Sequence, residues 1–170
     1  TALIADYLLE GMYFYNGFIA FYNFASRMLM AGSADIFKMI NRDELSHVRL
    51  YQKMIPEAMQ VFPHSTDRIY EMFDAAVRHE CLWTNHIVGN NILGITEDST
   101  EKYTKYLANI RLRAIGLDPL YDGEKYAKSP YAHLERFSDT KSEGHTKANF
   151  FEAQVTSYMM SSGVGGWDEI

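Results

Sequence analysis

Cysteine occurs once in the 170 residues, and no run of basic residues occurs anywhere. A single thiol, Cys81, cannot close an internal disulfide, so nothing in the chain calls for an oxidising compartment. A cytoplasmic location is the economical expectation. Sixteen Lys and Arg stand against 22 Asp and Glu, a formal net charge of -6. With no cluster of cations to neutralise phosphates, nucleic acid is excluded as a partner. The first thirty residues are apolar but never uninterruptedly so, because Asp6, Glu10, Asn16, Asn23 and Arg27 fall among them. With no basic n-region either, neither a signal peptide nor a spanning helix fits, and no membrane association is expected. No repeat of solenoid period is present. The glycines of Gly163-Val-Gly-Gly166 follow no strand and open no helix, so they are not a phosphate loop.

What the chain does have is apolar bulk: 47% hydrophobic residues in a length that suits one domain with a proper core. The pattern predicts four helices. The first runs from about Ala2 to Met30 and is apolar on nearly every face, as a central helix of a bundle would be, with Gly32 ending it. Ser33 can cap the second, which continues through Ile36, Ile40, Glu44, His47 and Tyr51 until Pro56 bends or stops it. After a turn from Pro63 to Thr66, the third runs from Asp67 to about Leu93 and closes at Gly94. Asp98-x-x-Glu101 resembles a capping box for the fourth, Tyr103 to Ile115, which stops at Gly116. From Asp122 the period is lost and a loop-rich segment is expected. Beyond Phe150-Phe-Glu152 the chain is small and flexible in composition, Ser161-Ser-Gly-Val-Gly-Gly166, and ends Trp167-Asp-Glu-Ile170, which suits a mobile tail that docks on a partner. The expected organisation is a helical unit over 1–121, a loop-rich segment over 122–148 and a tail over 149–170.

Chemistry concentrates in Glu44-x-x-His47, the one motif of that form in the chain, and in Glu10 on the helix before it. Positions i and i+3 of a helix share a face, so the Glu44 carboxylate and His47 imidazole can reach one metal ion together. Bundles with dinuclear carboxylate centres take two Glu-x-x-His helices and two that each supply a single carboxylate. This chain offers one of each, half of such a site. A buried Glu needs a cation or a metal, since an unpaired carboxylate costs several kcal/mol. The competing reading is a salt bridge from Glu10 to Arg42 or Arg49, and a solvated face for Glu44 and His47. Phe14 and Phe18 follow Glu10 by four and eight residues and Ile40 precedes Glu44 by four, so all three flank the carboxylates as a water-excluding wall. They serve equally as core. His64, His79, His86, His133 and His145 have no partner at ligand spacing, and Cys81 reads as a buried structural thiol.

These residues resemble the C-terminal half of the small, radical-generating subunit of class I ribonucleotide reductase, over nearly the whole chain. Leu9-Glu-Gly-Met-Tyr-Phe-Tyr-Asn-Gly-Phe18 is similar to that family's third ligand helix and Ile40-Asn-Arg-Asp-Glu-Leu-Ser-His47 to its fourth. Asn109-Ile-Arg-Leu-Arg-Ala-Ile-Gly-Leu-Asp118 resembles a later helix, and Asn149-Phe-Phe-Glu152 with Val155-Thr-Ser-Tyr158 resembles the start of its tail. The resemblance implies an all-α, ferritin-like half-bundle in which Glu10, Glu44 and His47 are ligands of a dinuclear iron centre, with manganese or a mixed pair as alternatives. It implies that Phe14, Phe18 and Ile40 surround the radical. It places Asp43 on the route of proton-coupled electron transfer and makes Tyr158 the residue that passes the radical on. Trp167, Asp168, Glu169 and Ile170 then dock on the large subunit, and the completed small subunit is a dimer. The family's first-half ligands, radical tyrosine and relay tryptophan have no counterpart after Thr1. The expectation is therefore a split or processed subunit, completed by an N-terminal half. The rivals are another di-iron carboxylate oxidase or a ferritin-like metal store, and a non-catalytic helical interaction module.

Overall fold

The structure, a computed structural model, describes residues 1–62, 66–135 and 137–138. It is all-α: among the described residues there is no strand, and no helix is long and apolar enough to cross a membrane. The elements are α1 (Ala2–Leu8), a π-helical turn (Leu9–Tyr13), α2 (Tyr15–Ser26), α3 (Ala31–Val61), α4 (Thr66–Ile87), α5 (Glu97–Ala114) and the short α6 (Ala132–Glu135).

The predicted first helix is thus three pieces. Its apolar residues cover every face and give no periodic signal that a widened turn lies at Glu10. Gly11 lies inside that turn, and a Cβ there would sit 3.2 Å from Arg111 Nε, so glycine lets the buried guanidinium approach. Nor does Gly32 end the helix, for it lies within α3. The reversal between α2 and α3 instead uses Met28 and Met30 at φ 58° and 51°, a left-handed backbone costing each about 1–2 kcal/mol. Arg27 Nη2 donates to Asn23 Oδ1 (2.6 Å) and to the Leu93 carbonyl (3.2 Å), which fixes this corner.

Helix α3 runs on through Pro56 for 31 residues. An interior proline forfeits one backbone bond and costs about 3 kcal/mol. Ile55, 1% exposed, and the partly buried Met59 pack into the core on either side of it, and that burial holds the helix together. Helix α4 ends at Ile87 ahead of the expected Gly94, because Gly89 at φ 51° already closes it. The cap of α5 is Thr96, not Asp98. Thr96 Oγ1 accepts from the Ser99 amide at 3.1 Å and Ser99 Oγ accepts from the Thr96 amide at 2.9 Å. The helix finishes as expected at Gly116, whose φ of 84° lets the Leu117 amide reach the Leu112 carbonyl at 3.0 Å.

Two buried clusters result. One joins α1, α3, α4 and α5 around Tyr7, Met12, Phe73 and Leu112, each essentially inaccessible. The other joins α2 and α5 to α6 around Phe18, Tyr22, Tyr103, Tyr131 and Leu134. Tyr126, Tyr131 and Leu134 are buried, so the described part of the expected loop-rich segment folds back onto the helices.

Candidate metal centre

Glu10 lies in the π turn, and Glu44 and His47 lie one turn apart on α3. His47 Nδ1 is 3.2 Å from Glu10 Oε2 and 3.2 Å from Glu44 Oε2. One ligand atom from each residue falls within 4.8 Å of the others, so a single cation could be reached by all three. A π turn adds one residue to the local repeat and often marks a functional position. Here it brings the carboxylate of the first helical stretch onto α3. The rival salt bridge is not formed: the partner of Glu10 is His47, and Arg42 pairs with its neighbour Asp43 (3.5 Å).

The three groups also hold each other's protons. The hydrogen bond with Glu44 is the main effect holding Glu10 below the usual carboxylate range, with His47 adding to it. Burial, then the hydrogen bond with Glu10, raises Glu44. Hydrogen bonds to Glu10 and then Glu44 raise His47. The pattern is one carboxylate ionised, one inclined to keep a proton, and an imidazole inclined to charge. A cation replaces those protons, and two carboxylates with one imidazole suit iron or manganese. The side chains are 23% (Glu10), 17% (Glu44) and 55% (His47) exposed, so the site faces outward on one side and has room for ligands from elsewhere.

Behind π-turn residue Gly11, its carbonyl accepts from Arg111 Nε at 3.1 Å, while the guanidinium lies 5.0 Å from the centre of the Tyr15 ring. Arg111, only 7% exposed, therefore props the turn that carries Glu10. The sequence alone gives Arg111 no role of its own, although a cation set between Ile110 and Leu112 is a usable signal. His79, likewise assigned nothing, meets the Tyr13 hydroxyl at 3.4 Å.

Beside the carboxylates opens a groove of about 530 Å³. Phe14, Phe18 and Ile40 line it together with Glu44, but only Phe18 is buried, while Phe14 and Ile40 are 47% and 39% exposed. Across it stand Trp83 and Ile87 of α4, and on its floor lie Asn16, Glu80 and Thr84. Those three polar residues were not anticipated. Asp43 is on α3, largely exposed, one residue before Glu44. Tyr158 and the terminal Trp167, Asp168, Glu169 and Ile170 lie outside the described residues.

Residues 1–130 match the family described as ribonucleotide reductase, small chain. Among curated relatives, a ribonucleoside-diphosphate reductase subunit beta from Treponema pallidum is 34% identical over 94% of this chain and 46% of its own length. One from Halalkalibacterium halodurans is 30% identical over 99% of this chain and 49% of its own. Among solved structures, the ribonucleotide reductase R2 subunit from Clostridium botulinum superposes with a TM-score of 0.75 at 39% identity, over 81% of this chain and 44% of that one. The chain spans about half the length of the relatives it matches. With this fold, this extent of match and these identities, the chain belongs to the ribonucleotide reductase small-chain family.

Proposed function

We propose that Glu10, Glu44 and His47 are this chain's share of a dinuclear metal centre that generates and stores a radical for the reduction of ribonucleotides to deoxyribonucleotides. The observation that carries the reading is the convergence of their ligand atoms within 4.8 Å, at a π turn, in a chain of this family. The remaining ligands belong to the part of the family's length that this chain does not span. Iron, manganese or a mixed pair fits the donor set, and such a centre supplies one-electron oxidising chemistry when bound.

The chain's own residues shape that chemistry. His47 must shed its proton to ligate, and Glu10 and Glu44 must shed the one they compete for, so metal uptake releases protons and strengthens as pH rises. Arg111 and Gly11 hold the turn in register. Phe14, Phe18 and Ile40 form the apolar wall of the radical pocket, which excludes water once the open side of the groove is covered. Asp43, adjacent to the ligand helix face and exposed, is the proton-coupled electron-transfer residue. Tyr158 passes the radical to a large subunit, on which Trp167, Asp168, Glu169 and Ile170 dock, and the completed small subunit is a dimer.

Metal analysis and native mass spectrometry of the assembled protein test this together. The expected result is a dinuclear metal content in a species whose mass includes the remainder of the family's length, on the same polypeptide or on a second one. An assembled protein that binds no transition metal overturns it. For the tail, Tyr158→Phe keeps the ring and removes the ionisable hydroxyl. It should abolish nucleotide reduction with metal content and large-subunit binding intact, and near-normal turnover would remove Tyr158 from the route.

A further inference from the structure

Asn16, Glu80 and Thr84 are 5%, 2% and 3% exposed, and all three line the groove that reaches Glu44. Asn16 spends both amide hydrogens inside the protein, on Glu80 Oε1 (3.1 Å) and on Thr104 Oγ1 (3.1 Å). Three buried oxygens remain without a hydrogen bond of good geometry among the described residues, Asn16 Oδ1, Glu80 Oε2 and Thr84 Oγ1, although the Thr84 hydroxyl lies close enough to Glu80 to lower its carboxyl. Leaving one such atom unsatisfied costs about 1–3 kcal/mol. Three that line one groove call for a shared partner.

We propose that Asn16, Glu80 and Thr84 form a station on the floor of the groove that binds one water molecule and exchanges a proton with it through Glu80. A buried water makes two to four hydrogen bonds. One water donating to Asn16 Oδ1 and Thr84 Oγ1, and accepting from a protonated Glu80 Oε2, satisfies all three oxygens at once. In the exchange the Oε2–H bond breaks and an O–H bond forms on the water, which gives up one of its own protons to solvent water at the open side of the groove, leaving Glu80 as carboxylate. Reversal restores the acid.

The surroundings favour the neutral acid. On α5, Lys105 is bound by Glu101, and Arg111 by the Gly11 carbonyl. In the π turn, Glu10 turns to His47 and Tyr13 to His79, the residue preceding Glu80 on α4. On α3, Glu44 turns to His47, and on α1 the Tyr7 hydroxyl donates to the Arg111 carbonyl. No cation pairs with Glu80 among the described residues, and burial pushes its carboxyl up to about 7, against smaller lowering by Asn16 and Thr84.

The station does not depend on the metal reading, so its test uses the assembled protein prepared free of metal. Infrared difference spectra should show a protonated-carboxyl band that titrates away with a midpoint of about 7, shifts in D2O and is absent in Glu80→Gln. Glutamine keeps the acceptor for Asn16. Thr84→Val removes a lowering contact and should move the midpoint upward. Spectra of Glu80→Gln and wild type that differ by no such band, or a band that persists untitrated and insensitive to D2O across roughly pH 5 to 9, overturn the proposal. Metal binding measured on the same preparations keeps the two readings apart: a protein that shows the titrating band but takes up no metal retains the station and loses the centre.

Discussion

On one side of α4, Ile69, Phe73, Ala76 and Val77 are buried against α1 and α5, while further along the same helix Leu82, Trp83 and Ile87 stand 69%, 57% and 53% exposed. Helix α3 is divided likewise, with Val48 and Ile55 at 1% exposure and Ile36 and Ile40 at 53% and 39%. The closed side is finished chemically as well as sterically. Tyr7 donates to the Arg111 carbonyl at 2.9 Å, and Asn109 uses both ends of its amide on the Tyr121 backbone, at 3.0 and 3.1 Å. The open side carries large apolar side chains and the partly exposed Glu10, Glu44 and His47. A face with that combination has the character of an interface rather than of a surface evolved for water. In a family whose members run to about twice this length, the open side is where the rest of the bundle is expected to lie.

The largest effect should come from the edge where the two sides meet. Glu44→Ala removes the carboxylate that lies between His47 and the groove, and should abolish metal loading of the assembled protein while far-UV circular dichroism stays unchanged. Full metal occupancy in that variant would remove Glu44 from the centre and separate the groove from it.

Next in size is damage to the closed side. Phe73 is fully buried and sits edge-on to Tyr7 with ring centres 6.3 Å apart. Truncation to alanine should cost about 3–5 kcal/mol in the unfolding free energy of the assembled protein. A loss below about 1 kcal/mol would mean that the closed side is not where the stability of the chain resides.

Glu80 gives a smaller effect and a sign. Burial raises its folded carboxyl to about 7 from the ordinary 4.5, so the native state holds a proton that the unfolded state has released. Its stabilisation is complete below pH 4.5 and disappears as pH rises through about 7. By that linkage the assembled protein should lose about 3 kcal/mol across the window, and Glu80→Gln should flatten this part of the profile. Thermal melts of both proteins through the window check it. Parallel profiles would show that Glu80 is ionised and compensated in the assembly.

How much of this was legible beforehand differs between the two sides. The grouping of Glu10, Glu44 and His47 was legible because i, i+3 spacing is local, and because Glu10 stood out as a carboxylate in an apolar helix. The π turn was not, since Leu9–Tyr13 has no polar rhythm whose slip would betray an extra residue. Proline and glycine both proved weaker breakers than their local chemistry suggests, for neither Pro56 nor Gly32 ends a helix. Pro56 lies inside α3 because tertiary burial outweighs its local cost, and Gly32 was passed over as a breaker in favour of two methionines held left-handed by the corner around Arg27 and Leu93. The groove floor left a signal that went unused: Phe73, Ala76, Val77, Glu80 and Thr84 keep helical spacing, so the burial of Glu80 could be read from its neighbours. The partners that Asn16 brings from α2 could not, because they are set by contacts 64 and 88 residues apart.

The smallest expected effect is the sharpest test of the division itself. Trp83 is large, apolar and 57% exposed on the open face, and it is absent from both buried clusters. Its truncation to alanine should therefore leave the closed side unmoved. Native-state hydrogen exchange at Phe73 and Leu112, measured in the assembled protein, should retain its protection to within about 0.5 kcal/mol, the ordinary scatter for a surface change. The same substitution should weaken whatever covers the groove, because an aromatic anchor at the centre of an interface typically contributes 2 kcal/mol or more. Its signature is a faster exchange of amides at the groove, around Ile40 and Ile87, with the closed core intact. If Trp83→Ala instead loosens Phe73 and Leu112 as much as it loosens the groove, the two faces unfold as one unit and the division between them is only one of packing.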